Sequence, residues 1–351
     1  MAPSVEPKKI LIVLHGSVGD VTRALPLVSL VRRRFPSAHL AWSVEPACYP
    51  LIEHFSAVDE IILFDRRSWI SATWPFLKKI RGRGFDLVLD LQRHLKSGLI
   101  SRCTGARWRL GFHPSDAKEF NGLFNNRHIE AAGDEISKLD HYLKFAEHLG
   151  IAPRPVLWEI SLTPQDKLNV KKQLASLRGE FAVLFAGARW ESKRWFAGPM
   201  TAVAQKLGDR HGLSVALLGG KEELAIAEEV SSGLSSRCVN LVGRTSLREA
   251  VGIISRAKVC IGPDTGLMHL AAAVGTPVVS LWGATDPRRA GPYGFEALVI
   301  KGQAECSPCY RKSCPIGRVC MRSIGADAVM EKVALALDRK RQPVIAHAER
   351  H

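Results

Sequence analysis

The stretch Lys9-Ile10-Leu11-Ile12-Val13-Leu14-His15-Gly16-Ser17-Val18-Gly19-Asp20 and the run from Val21 to Phe35 behind it decide the fold class. The first seven residues are almost all apolar, as expected for a parallel strand covered on both faces. A glycine-bearing turn follows. From Val21 to Phe35 the apolar residues recur at three and four, the spacing of an amphipathic helix, despite Pro26 in its interior. Strand, tight turn and helix in that order form the opening unit of an α/β fold.

The unit repeats along the chain. Further strands are predicted at His39–Val44, Glu60–Phe64 and Asp86–Leu91. After Pro153-Arg154-Pro155 the pattern restarts, with strands at Phe181–Ala186, Val215–Gly220, Val239–Val242, Lys258–Ile261 and Pro277–Trp282. Two parallel doubly wound sheets are therefore expected in two Rossmann-like domains, 1–165 and 166–330. Residues 331–351 are left as a C-terminal helix and tail. The helix, near residues 326–340, is expected to return to the first domain, and the tail from Arg339 to be mobile.

Composition narrows the function. The chain has 351 residues, 46% hydrophobic and 24% charged, which suits a soluble two-domain protein. Residues 1–9 lack the apolar centre of a signal peptide, and no apolar run reaches membrane-spanning length, so a cytoplasmic location is expected. The 49 Lys and Arg exceed the 34 Asp and Glu, leaving a net charge of +15 that favours anionic partners. Basic clusters stand at Arg32-Arg33-Arg34, Arg66-Arg67, Lys78 to Arg83 and Arg107 to Arg109; each is either a partner site or a solvated helix face. Neither zinc-finger spacing nor a ribonucleoprotein motif is present, and nucleic acid is not expected as a partner.

Two turns carry chemistry. Pro263-Asp264-Thr265-Gly266-Leu267-Met268-His269 follows the strand Lys258–Ile261 and opens a helix rich in alanine. The first N–H groups of a helix lack intrahelical acceptors and favour an anion, and Thr265 and His269, four apart, share one face there. A diphosphate with an attached sugar would suit this turn; the plainer reading is a helix cap, a glycine turn and a buried histidine. At the tip of the first strand, Asp20 is either a general base or a helix-capping carboxylate. Gly16-x-x-Gly19 is not the glycine fingerprint of dinucleotide binders, and no Walker lysine motif occurs. Lys193, beyond the small-residue turn Ala186-Gly187-Ala188, would neutralise charge on a departing diphosphate or else is a surface charge.

Asp264-Thr265-Gly266-x-x-His269, Ser17-Val18-Gly19-Asp20 and Lys193-Arg194-Trp195 together resemble, in order and spacing, the motifs of the ADP-heptose:lipopolysaccharide heptosyltransferases, glycosyltransferase family nine. The resemblance covers residues 8 to about 330. It implies the GT-B architecture, two Rossmann-like domains facing across a cleft. It also implies inverting transfer of heptose from ADP-heptose to the Kdo and inner-core region of lipopolysaccharide. Within the family, the sequence leans toward the members that add the first heptose.

By that resemblance Asp20 is the general base, with Ser17 and Gly19 seating the acceptor. Lys193 stabilises the leaving ADP. Asp264 contacts donor hydroxyls, and Thr265, Gly266 and His269 hold the diphosphate. Glu223 contacts the ribose, with Glu222 the competitor by one position. Arg66, Arg67, Lys96 and Lys118 form a basic pocket for the anionic Kdo–lipid A acceptor; Lys118 stands where the family commonly has Arg. The lipid acceptor implies peripheral contact with the anionic inner face of the inner membrane. No metal-binding Asp-x-Asp is present, so neither a catalytic metal nor a cofactor is expected, and a monomer is expected.

Other readings are a second-heptose or other ADP-sugar transferase, and a non-catalytic binder of nucleotide sugars or polyanions. Four of the eight cysteines cluster as Cys306-x2-Cys309-x4-Cys314-x5-Cys320, open between a structural zinc site and thiols or a local disulfide.

Overall fold

The computed structural model describes residues 6–65, 69–133, 135–234 and 237–339. Among these, two compact units divide between Ser161 and Leu162.

The first unit is built on a parallel sheet of β1 (Lys9–Val13), β2 (His39–Val44), β3 (Glu60–Leu63), β4 (Leu87–Asp90), β5 (Trp108–Gly111) and β6 (Arg127–His128). Its order is β3-β2-β1-β4-β5-β6. β1 lies between β2, with Lys9 opposite His39, and β4, with Ile10 opposite Leu87. Ile10, Leu11, Ile12 and Val13 are all 0% exposed, as a strand covered on both faces requires.

The helix behind β1 runs Val18–Arg34, three residues earlier than the apolar periodicity alone predicts. Ser17 and Asp20 account for the earlier start: the Asp20 carboxylate accepts from the Ser17 N–H at 3.1 Å and from its hydroxyl at 3.0 Å, closing the first turn. Pro26 sits inside this helix and has no N–H to give the Thr22 carbonyl one turn earlier. The Trp158 indole N–H donates to that carbonyl instead, at 3.2 Å.

The second unit repeats the plan with β7 (Phe181–Phe185), β8 (Ser214–Leu218), β9 (Cys238–Asn240), β10 (Cys260–Pro263), β11 (Val278–Trp282) and β12 (Val299–Lys301), ordered β12-β11-β10-β7-β8-β9. Every pairing in both sheets is parallel. In each sheet the first and fourth strands of the unit are neighbours, and the connections leave them in opposite directions. Ligands bind at the carboxyl ends of strands at such a switch point. The helix Ala326–Asp338 packs on the helix Ala197–His211 and on β11, burying Val329, Met330, Val333 and Ala336. These contacts assign it to the second unit, correcting the expected return to the first.

Candidate active site

In the first unit the turn after β1 carries the predicted carboxylate. Asp20 is half-buried, its side chain 18% exposed. Arg23 Nη2 donates to Asp20 Oδ1 at 2.6 Å and Lys138 Nζ to the same oxygen at 3.0 Å. Burial works to raise its pKa, but the charges and hydrogen bonds of Lys138 and Arg23 prevail and hold the carboxyl far below the ordinary carboxylate range. Asp20 is thus both the capping residue and a carboxylate that stays ionised. The sequence reading missed Arg23 and Lys138. Arg23 was legible, three positions on along the same helix; Lys138 lies 118 residues away in sequence and has no local signal.

Ser17 is exposed and Gly19 buried beside Asp20. Gln92, beyond β4, ties the neighbouring loop to this turn: its Oε1 accepts from the His15 N–H at 2.9 Å. Lys96 and Lys118, both exposed, sit on the segments after β4 and β5, joined where the Lys118 N–H donates to the Arg93 carbonyl at 2.8 Å. Arg66 and Arg67 lie outside the described residues. Other basic clusters are partly used internally: Arg32 pairs with Asp59, Arg33 with Glu159, and Arg83 with Glu60.

The second unit gathers its motif residues at the carboxyl edge of its sheet. Lys193 closes a short 3-10 turn, Glu191–Lys193, beyond β7, and Asp264 follows β10. Lys193 Nζ donates to Asp264 Oδ2 at 2.6 Å, and the Thr285 hydroxyl, beyond β11, donates to the same oxygen at 2.7 Å. The ammonium also lies 4.4 Å from the centre of the Trp190 ring, a cation–π contact that fixes its position. Thr285 and Trp190 were not singled out from the sequence. Thr265 is the N-cap of the helix Gly266–Ala273 in extended conformation, with no side-chain capping bond; the Met268 N–H donates to the Thr265 carbonyl at 3.2 Å, and the Gly266 and Leu267 N–H groups are left for another acceptor. His269 is buried on the same helix, and Trp195 is packed, its indole N–H donating to the Ile324 carbonyl at 3.1 Å.

Between the two adjacent glutamates the burial is unequal: Glu222 is exposed, whereas Glu223 is 7% exposed. Glu223 Oε2 accepts from the Gly220 N–H at 2.6 Å, and Arg194 Nη2 stands 3.8 Å from Oε1. Burial pushes its pKa up against the opposing pull of Gly220 and Arg194. Gly187 makes this possible, because a Cβ there would come 2.5 Å from the Glu223 Cγ.

The clustered cysteines are free thiols, Cys306 exposed, Cys309 and Cys314 half-buried, Cys320 buried. Among the described residues no three His, Cys, Asp or Glu side chains are placed to hold a metal ion.

Two doubly wound parallel sheets, each with its loops gathered at its own carboxyl edge, make up the two-domain GT-B plan, and known structures share the fold. The chain superposes on E. coli ADP-heptose lps heptosyltransferase II with a TM-score of 0.75 and 23% identity, over 94% of this chain and 98% of that one. On E. coli heptosyltransferase WaaC with ADP the TM-score is 0.73 at 23% identity, over 93% and 99%. Residues 73–320 match the family model of Glycosyltransferase family 9 (heptosyltransferase), and the chain belongs to that family. It is 28% identical over 320 residues to lipopolysaccharide heptosyltransferase 1 of Pseudomonas aeruginosa, 87% of each chain. It is 26% identical over 291 residues to lipopolysaccharide core heptosyltransferase OpsX of Haemophilus influenzae, 82% of each.

Proposed function

We propose that this glycosyltransferase moves heptose from ADP-heptose to the Kdo region of the lipopolysaccharide inner core, with inversion, and that it adds the first heptose. The observation that carries this reading is the Lys193–Asp264–Thr285 cluster beside the helix opening at Gly266. A carboxylate next to a helix N-terminus would repel a diphosphate. Paired with Lys193 it is neutralised and left to contact sugar hydroxyls. An ammonium has three donors, so Lys193 keeps two for phosphate oxygens while it holds Asp264. Charge that builds on the departing ADP then meets Lys193, the hydroxyl of Thr265, His269 and the first-turn N–H groups, in place from the start. Glu223 takes the ribose hydroxyls.

Asp20 receives the acceptor proton. The acceptor oxygen forms its bond to the anomeric carbon as the bond from that carbon to the phosphate oxygen breaks, and the hydroxyl proton passes to the carboxylate. A weakly basic, permanently ionised carboxylate suits this step, because the attacking hydroxyl turns strongly acidic once its new bond is largely formed. Ser17, Gly19, Lys96 and Lys118, with Arg66 and Arg67, seat the anionic acceptor. The lipid on that acceptor places the enzyme at the anionic inner face of the membrane; no described helix is long and apolar enough to cross one.

The test is ADP release from ADP-heptose with no acceptor, with Kdo–lipid A, and with the same acceptor already carrying one heptose. Release with Kdo–lipid A alone is expected. Release only with the heptosylated acceptor would assign the second position. Tight donor binding without release under any condition would leave a nucleotide-sugar binder.

A further inference from the structure

Three large apolar side chains of the first unit stand in water. Phe120 and Leu123 are each 80% exposed, and Trp74 is 77% exposed. Phe120 and Leu123 share one 3-10 turn, Asn121–Phe124, which Phe120 precedes as N-cap. Trp74 belongs to the helix Trp69–Arg81, which packs against the helix Leu95–Cys103; Leu95, at the start of that second helix, is 38% exposed. Scattered single hydrophobes on a surface need no explanation, but two at this exposure on one turn do.

The turn is not a loose loop. Glu119 and Phe120 hold left-handed backbone conformations at φ 52° and 59°, and Arg93 facing them is at 70°. For a bulky side chain that conformation costs about 1–3 kcal/mol and persists only when the surroundings enforce it. They do so here. Asn121 Nδ2 donates to the buried carboxylate of Asp90 at 2.7 Å and to the His94 carbonyl at 2.9 Å. Glu119 accepts from the Leu95 N–H at 3.2 Å and pairs with His94 at 3.3 Å. Arg93 Nε donates to the Asp116 carbonyl at 2.6 Å. A polar frame, buried at Asp90 and Asn121, thus presents Phe120 and Leu123 outward, Phe120 in a conformation whose strain its own packing does not offset.

The charge around them selects the occupant. Lys118 precedes the turn, and Lys96 lies in the first turn of the helix Leu95–Cys103, just after Arg93, whose carbonyl accepts from the Lys118 N–H; both lysines are exposed, while the nearby Glu119 is paired. The whole chain carries a net +15. Aromatic and aliphatic side chains with lysines beside them match the boundary between anionic headgroups and acyl chains. We propose that Phe120 and Leu123 form a rigid wedge that inserts into an anionic bilayer surface, with Leu95 at its edge, holding Lys96 and Lys118 at the headgroup level where they meet the anionic acceptor. The choice of a bilayer rests on the lipid-linked acceptor proposed above. The wedge rises from the loops after β4 and β5, the same edge of the sheet that bears Asp20, so a sugar at the membrane surface would be delivered beside that carboxylate.

The experiment floats the full-length protein with phosphatidylethanolamine–phosphatidylglycerol vesicles and with pure phosphatidylcholine vesicles. In parallel, transfer is measured to a deacylated, soluble Kdo acceptor. Wild type should float with the anionic vesicles and poorly with the neutral ones. The double variant Phe120→Ser, Leu123→Ser should bind anionic vesicles at least about tenfold more weakly. Its melting temperature should hold, since both side chains are exposed, and its transfer to the soluble acceptor should stay within about twofold of wild type. Equal flotation of variant and wild type, or no flotation of wild type, overturns the wedge even if transfer proceeds. Loss of transfer to the soluble acceptor in the variant also overturns it, making the turn part of the sugar pocket, and lipid-independent self-association through these residues would make it a protein interface. Absence of transfer in wild type counts against the heptosyltransferase reading alone, because flotation is scored without donor.

Discussion

Asp20 illustrates how one side chain serves two ends. The bonds it accepts from Ser17 fix the start of a helix, and its pairs with Arg23 and Lys138 keep the carboxylate ionised. Asp20→Asn should therefore lower kcat by about 10²–10⁴, the range for loss of a general base, while ADP-heptose affinity measured by calorimetry stays near wild type. Asp20→Ala should lose a similar factor and also about 1–3 kcal/mol of stability, since Arg23, with 8% of its side chain exposed, loses the carboxylate it donates to. Equal loss of donor affinity would make the residue structural. The sign of the pH effect follows from the direction of the shift. A carboxyl lowered on folding contributes stability in full above its unfolded value near 3.8, and that stability is lost as pH falls through the folded value. Asp20 thus supplies no acid limb to activity in the neutral range. Lys138→Met should move the acid limb of kcat/KM to higher pH; a helix-capping role alone would change the melting temperature and leave the limb in place.

At the scale of the element, the first helix and the turn behind β7 each depend on a substitution for something missing. Pro26 removes a helical donor and Trp158 supplies another. Trp158→Phe should cost about 1 kcal/mol beyond any packing loss by leaving the Thr22 carbonyl unpaired. In a Pro26→Ala background, where the helix regains its own N–H, the same change should cost less, and a double-mutant cycle by chemical denaturation reads the difference. Behind β7 the missing group is a Cβ. Gly187→Ala drives a methyl into Glu223, which should destabilise the second unit by about 1–3 kcal/mol. It should also weaken ADP-heptose binding, with far less effect on binding of an acceptor analogue.

Over the whole molecule the excess of positive charge acts on encounter rather than on chemistry. Basic side chains that escape internal pairing raise the local concentration of an anionic acceptor, and salt screens them over about 8–10 Å at physiological strength. Raising ionic strength from about 0.05 to 0.3 M should therefore raise the acceptor KM several-fold while kcat changes little. Initial-rate measurements with a soluble acceptor give the split. A matching fall in kcat would place the charges in the reaction itself.

Much of this architecture was legible in the chain. Buried parallel strands must be apolar on both faces, so β1, β2 and β7 read almost as they stand, and the glycine and aspartate turns announced the carboxyl edges of both sheets. Asp20, Lys193 and Asp264 could be named because turn chemistry is local. Their distant partners could not. Lys138 reaches Asp20 and Thr285 reaches Asp264 through neighbouring elements of the fold, and no local pattern encodes which distant donor meets a given oxygen. Nor does residue type separate Glu222 from Glu223; only the seat left by Gly187 does. The destination of the last helix escaped as well, because an amphipathic face fixes that a helix packs but not on what. By itself the sequence determined the element types, the doubly wound plan and the turns that bear the chemistry, all consequences of backbone sterics and short-range periodicity. The tertiary structure alone decided the Lys138 pair on Asp20, the Lys193–Asp264 pair and the outward thrust of Phe120 and Leu123, because each arises where chain segments remote in sequence are brought within hydrogen-bonding distance.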